Sequence, residues 1–250
     1  MILFPAIDLK DGLCVRLLRG DMDQATIFNP DPVQQAQEFQ AAGFEWLHLV
    51  DLNGAIEGKP VNADTVAKVV SSVDMPVQLG GGIRNREILD HWIDIGVSRI
   101  VLGTAALSDP DFVSQACADH RGKIVIAIDA RDGKVAVEGW TKDSGVRVLD
   151  LALRFEDSGA AAILYTDINR DGAMGGVNVE ATVDLAFALT TPVIASGGVS
   201  SLNDLKELKE KSEAGIEGVI CGRALYDGRI EPEKAIALLR GDEVQDVAQC

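Results

Sequence analysis

Short apolar runs, most of them rich in β-branched residues, alternate along this chain with longer stretches whose apolar positions recur every three or four residues. The short runs are Leu3–Ile7, Trp46–Val50, Val77–Leu79, Arg99–Leu102, Ile124–Ile128, Ala162–Tyr165, Val193–Ala195 and Gly218–Cys221. Their length and composition predict strands. Between them, Pro32–Ala42, Ala63–Val73, Arg86–Ile95 and Ser200–Lys211 have the spacing of amphipathic helices. Asp109 before Pro110, and more weakly Glu231 before Pro232, mark helix starts, because proline suits the first helical position. Gly43, Gly96, Gly159 and Gly215 each follow a helical run, where a left-handed C-cap favours glycine. The pattern gives eight βα units without a linker, and such alternation implies a parallel sheet.

The two halves of the chain repeat one another. Ala6-Ile7-Asp8-Leu9-Lys10-Asp11-Gly12 answers Ala127-Ile128-Asp129-Ala130-Arg131-Asp132-Gly133, and Val50-Asp51-Leu52-Asn53 answers Thr166-Asp167-Ile168-Asn169. Pro76-Val77-Gln78-Leu79-Gly80-Gly81-Gly82 answers Pro192-Val193-Ile194-Ala195-Ser196-Gly197-Gly198, and Leu102-Gly103-Thr104-Ala105 answers Cys221-Gly222-Arg223-Ala224. All four pairs keep an offset of 116 to 121 residues. An open doubly wound sheet would give no reason for this duplication, whereas two (β/α)₄ halves can close on each other. The expectation is an α/β fold: a single (β/α)₈ TIM barrel forming one domain over 1–250, with half-barrels at about 1–121 and 122–240.

Composition narrows the partners. A net charge of −16 opposes nucleic-acid binding, which draws its affinity from Lys and Arg on phosphates. It leaves room for a small anion held by a few backbone N–H groups. Cys14, Cys117, Cys221 and Cys250 are far apart, and His48, His91 and His120 lack HExxH spacing, so no metal site is expected. Met1–Leu9 lacks the basic and long apolar regions of a signal peptide, and no apolar run nears the ~20 residues of a membrane span. A soluble, cytoplasmic protein is expected. The charged outer helices offer no evident interface stripe, so a monomer is the default.

In such a barrel the active site lies at the C-terminal ends of the strands. Asp8, Asp51, Asp129 and Asp167 end the first, second, fifth and sixth predicted strands. The first and fifth strands stand opposite in a ring of eight, so Asp8 and Asp129 face each other and can serve one substrate as base and acid. The alternative, that they only shape local turns, suits Asp11-Gly12 and Asp132-Gly133 better. Asp51 and Asp167 could act in the site or orient its loops. Gly81 and Gly82 with Gly103 and Thr104, and Gly197 and Gly198 with Gly222 and Arg223, leave two bare backbone corners suited to phosphate. Glycine also serves tight βα turns, but two matched sets point to a small-molecule bisphosphate spanning the mouth. Trp140 could stack on a heteroaromatic ring or pack in the core. Arg16, Arg84 and His48 are further polar candidates, His48 being equally readable as a satisfied core residue.

Phe4-Pro5-Ala6-Ile7-Asp8-Leu9, Gly80-Gly81-Gly82-Ile83-Arg84, Thr166-Asp167-Ile168-Asn169-Arg170-Asp171-Gly172 and Ala195-Ser196-Gly197-Gly198-Val199-Ser200 together resemble the ProFAR isomerase family of histidine biosynthesis. The similarity runs along essentially the whole chain. It implies an Amadori rearrangement of an aminoaldose, ProFAR, to an aminoketose, PRFAR, without cofactor. It further implies Asp129 as general acid on the ribose ring oxygen, Asp8 as base at C2, and Thr166 as a hydrogen-bonding group beside the reacting carbons. Asp129 is then expected to hold its proton more tightly than Asp8 in the complex. The chain departs from the family in Asn53, where aspartate is commoner, and in Val177, where proline is usual. Three alternatives share these features: an isomerase that also accepts phosphoribosyl anthranilate, the cyclase subunit of imidazole glycerol phosphate synthase, and a non-catalytic phosphosugar-binding barrel.

Overall fold

The computed structural model describes residues 1–18, 20–137, 140 and 142–242. Cys250, and the Gly139 and Thr141 that flank Trp140, lie outside the described residues. The order is β1 (Ile2–Lys10), β2 (Leu13–Leu18), β3 (Asp21–Asn29), α1 (Pro32–Ala41), β4 (Leu47–Asp51), α2 (Leu52–Glu57), α3 (Ala63–Ser72), β5 (Val77–Gly80), α4 (Arg86–Ile95), β6 (Arg99–Leu102), α5 (Thr104–Ser108) and α6 (Pro110–Asp119). The second half follows with β7 (Ile124–Arg131), β8 (Lys134–Val137), β9 (Lys142–Arg147), α7 (Val148–Arg154), β10 (Ala162–Asp167), α8 (Val179–Phe187), β11 (Val193–Ser196), α9 (Leu202–Glu210), β12 (Ile216–Cys221), α10 (Arg223–Tyr226) and α11 (Pro232–Arg240).

Eight parallel strands, β1-β4-β5-β6-β7-β10-β11-β12, form a closed ring, β12 pairing with β1 and β7 with β10. The fold is the expected (β/α)₈ barrel. Helix signals in the sequence have direct counterparts. Asp109 caps α6 by accepting the Phe112 N–H, and Pro110 opens that helix. Gly96 ends α4 in the left-handed conformation. Glu231, by contrast, makes no side-chain cap on α11.

Four strands were not anticipated. β2 and β3 continue from β1, and β8 and β9 from β7, as antiparallel hairpins. Asp11-Gly12 and Asp132-Gly133 sit at positive φ in the two-residue turns that start them, as turn chemistry requires. Their strands escape a hydrophobic reading because β3 and β9 are largely exposed and polar. One correction follows: Asp8 and Asp129 do not end their strands, which run on to Lys10 and Arg131.

Strand alternation decides which side chains enter the barrel. Phe4 and Ala6 on β1, Val125 and Ala127 on β7, and Ala162 and Leu164 on β10 pack inside with Val101, Ile194 and Ile220. Residues of the other parity, such as Ile7, Leu49, Ile126 and Ile163, pack outward under the helices. At the N-terminal end Arg99 pairs with Glu217 at 3.0 Å and lies 4.5 Å over the Trp46 ring. Among the described residues no helix is long and apolar enough to cross a membrane.

Candidate active site

Two residues beyond Ala6, Ala127 and Leu164, the same parity brings Asp8, Asp129 and Thr166 to the C-terminal rim. All three line one cavity of about 220 Å³, together with Gly81, Gly82, Gly103, Thr104 and Trp140. β1 and β7 are four steps apart in the ring, so Asp8 and Asp129 stand on opposite walls.

Each carboxylate has a distinct partner. Asp8 Oδ2 lies 2.9 Å from Arg16 Nη1, reached across the β1–β2 hairpin. Asp129 Oδ2 accepts the Trp140 indole N–H at 2.8 Å. Burial raises the pKa of both, since removal from water penalises charge. Arg16 opposes the rise at Asp8, and Trp140 and Thr166 oppose it at Asp129. A third carboxyl, Asp171, also lines the cavity and is pushed up to about 6, mainly by burial; Arg16 opposes this, and the charges of Asp8 and Asp129 add to it. Asp171 stands in a quoted sequence motif but has no strand register to expose its role, because it sits in the loop after β10.

The two bare corners differ. Gly81 and Gly82 carry positive φ, and a Cβ at Gly81 would collide with the Asp51 carbonyl. Gly197 repeats this against the Asp167 carbonyl, at 2.6 Å from an added Cβ. Glycine is therefore required by packing at both corners, whatever binds there. The first corner opens into the cavity. Gly197, Gly198, Gly222 and Arg223 do not line it. Arg16 lays its guanidinium directly on Gly222, and Arg223 turns to Asp227 at 3.1 Å. Arg16 thus connects Asp8 with the second corner, a link that strand-end reasoning missed because β2 was not foreseen. Arg84 lines the first corner and donates to the Ala55 carbonyl at 3.1 Å.

Asp51 and Asp167 have the opposite parity and leave the mouth. Asp51 is buried and accepts the N–H groups of Gly54, Val61 and Asn62 at 2.8, 2.8 and 2.9 Å and Asn62 Nδ2 at 2.7 Å. Asp167 accepts from the Asn169 N–H at 3.1 Å and Asn178 Nδ2 at 2.7 Å. Both orient loops. Asn53 joins the first arrangement: it accepts the Asp11 N–H and donates to Asp11 Oδ1, each at 2.9 Å. Asn169 makes the matching donation to Asp132 at 3.1 Å. Val177 is buried, its carbonyl 3.3 Å from Arg170 Nη1, so the loop is held without proline. Trp140 does not face an open platform alone, because its ring packs on Gly20 at the β2–β3 tip.

A closed parallel barrel with paired acidic groups over its C-terminal rim defines the class of TIM-barrel enzymes. Within that class, the chain belongs to the family described as "Histidine biosynthesis protein", which it matches over residues 2–231. It is similar to the 1-(5-phosphoribosyl)-5-((5-phosphoribosylamino)methylideneamino) imidazole-4-carboxamide isomerase of Rhodospirillum centenum, 67% identical over 97% of this chain and 98% of that protein. It is also similar to the proteins of the same name from Azospirillum brasilense, 64% identical over 96% and 94%, and Rhodospirillum rubrum, 60% identical over 96% and 99%.

Proposed function

We propose that this chain is the isomerase that converts the aminoaldose ProFAR into the aminoketose PRFAR. The observation that carries the reading is the opposition of Asp8 and Asp129 across one cavity, each carboxyl half-buried and held by a different partner. Desolvation favours the protonated form of both carboxyls, and Arg16 draws Asp8 back toward the carboxylate. Asp129 gives its proton to the ribose ring oxygen, the C1–O bond breaks, and the nitrogen lone pair forms a C1=N iminium. Asp8 removes the C2 proton, and the electron pair of that C–H bond flows into C1=C2 while the iminium becomes an amine. Ketonisation of the resulting enolamine returns a proton to C1, so no atoms are gained or lost. Thr166 supports Asp129 and lies beside the reacting carbons.

One phosphate rests on the backbone at Gly81, Gly82, Gly103 and Thr104. The other takes the corner of Gly197, Gly198, Gly222 and Arg223, once Arg16 moves from Gly222 or itself joins the anion. The chain acts as a cytoplasmic monomer on this single small molecule. The isomerase name of the relatives does not favour the cyclase or the non-catalytic barrel. Purified protein supplied separately with ProFAR and with phosphoribosyl anthranilate tests the reading. Conversion of ProFAR, lost in Asp8→Asn and Asp129→Asn variants that keep the wild-type circular dichroism, is expected. No conversion by the folded wild type rules the proposal out, and turnover of both substrates would establish the dual-substrate alternative.

A further inference from the structure

Below the rim the barrel wall is apolar on most strands, with Ala6, Val101, Ala127, Leu164, Ile194 and Ile220 turned inward. Two adjacent strands break it. His48 on β4 and Gln78 on β5 are neighbours in register, both buried, with Gln78 Nε2 2.9 Å from His48 Nδ1. A hydrophobic pair of similar volume would pack here without the cost of burying polar groups. The two side chains differ in one respect: His48 borders the cavity, whereas Gln78 is fully buried and does not. Gln78 cannot touch a ligand except through His48.

The contact selects a tautomer. An amide N–H directed at Nδ1 needs the lone pair of that nitrogen, so the proton of the neutral ring is on Nε2. The reverse amide orientation would leave the amide nitrogen without an acceptor. The orientation present leaves only the Gln78 oxygen unpartnered, and an orphaned carbonyl is the lesser fault. The ring is neutral across the working range, because burial, with Arg16 adding to it, pushes the His48 pKa down to about 3.

We infer that Gln78 is a positioning residue that fixes His48 as the Nε2–H tautomer, so that the ring offers the cavity a hydrogen-bond donor for a sugar oxygen. The sugar identity rests on the isomerase reading; the tautomer does not. Donation to an oxygen would hold the open-chain sugar against the wall between Asp8 and the first anion corner. A bare nitrogen at the same place could bind only an oxygen that still carries its proton.

The test begins with the ligand-free wild-type enzyme labelled with ¹⁵N-histidine, the His48 signals being identified by their loss in His48→Asn. A proton-bearing Nε2 and a bare Nδ1 are expected. A proton on Nδ1 overturns the inference, whatever the enzyme turns over. Gln78→Glu replaces the donor with a carboxylate that accepts from Nδ1, so the ring proton should move there or the ring become doubly protonated. Gln78→Met removes the donor without adding charge and should release the ring to exchange between tautomers; it serves if the glutamate variant does not fold. With ProFAR, each Gln78 variant should lose about tenfold in kcat/KM, the scale of one hydrogen bond. In the His48→Asn background the same substitutions should cost nothing further. Losses that multiply would mean Gln78 acts on packing and not through His48, and would overturn the positioning role. Failure of the wild type to convert ProFAR would defeat the isomerase reading and leave the tautomer result standing or falling by itself.

Discussion

Asp8 and Arg16 meet across the β1–β2 hairpin with 2.9 Å between Oδ2 and Nη1, both largely shielded from water. The contact is ionic and poorly aligned as a hydrogen bond, so Arg16 acts on Asp8 chiefly through its charge. Burial raises the Asp8 pKa, and the guanidinium opposes that rise. Arg16→Met should therefore raise the Asp8 pKa and move the acid limb of the kcat/KM profile to higher pH, with the loss of activity greatest in acid. Rates measured from pH 5 to 9 decide this. An unmoved acid limb would show that Asp8 is not the base it reports.

Trp140 offers the mirror-image test on the other wall. Its indole N–H stabilises the charged form of Asp129 and so restrains a pKa that burial raises. Trp140→Phe keeps a ring against Gly20 but removes that donor. The Asp129 pKa should climb, and the alkaline limb of kcat/KM should shift upward, because a general acid must be protonated to work. The two variants should displace opposite limbs of one profile. Loss of rate with both limbs fixed would instead assign Trp140 to substrate contact alone.

Much of the cavity's lining is legible in the sequence, and strand parity explains which part. Asp8, Asp129 and Thr166 each lie two residues beyond an inward-facing apolar residue, and the structure brings all three to one cavity. The same count applied to Asp51, two beyond Leu49, sends it outward, which settles what strand ends alone left open. Strand parity does not reach Arg16, which the sequence offers only as a further polar candidate, or Asp171. Arg16 depends on a hairpin whose partner strand is polar and exposed, and Asp171 depends on a loop that hydrophobic patterning does not describe. The glycine pairs were legible as two matched corners. Their collisions with the Asp51 and Asp167 carbonyls were not, because those arise between elements far apart in sequence.

Asn53 should be better than an aspartate at this position of this chain. Its amide donates to Asp11 Oδ1 and its oxygen accepts the Asp11 N–H. Asn53→Asp loses the donor and sets two carboxylates against each other at the start of the β1–β2 hairpin. A loss of about 1 kcal/mol at pH 7 is expected, the site being partly exposed, and it should shrink in acid as the pair shares a proton. Thermal melts at pH 7 and pH 4 measure it. A stability equal to that of the wild type at both values would mean the Asp11 contact is not worth its ordering.

Asp171 predicts the pH dependence of stability itself. Its pKa in the folded chain is about 6, against 3.8 for a free aspartate. The folded state therefore binds this proton more tightly than the unfolded state does, and the group favours folding only where it is protonated. Its stabilising contribution is fully present below about 4, declines as pH rises through about 6, and is absent above that. Asp171→Asn carries no charge to desolvate, so it should be more stable than the wild type at pH 8 by roughly 1–2 kcal/mol, or about 2–6 °C in Tm. The advantage should shrink through pH 6 and vanish only below about pH 4. A carboxyl that weakens the fold at working pH, yet borders the cavity beside Asp8, Asp129 and Arg16, is placed for chemistry more than for packing. The same substitution should then lower turnover of ProFAR while raising Tm. A variant that gains stability and keeps full activity would reduce Asp171 to a bystander, and one that loses stability at pH 8 would refute the raised pKa.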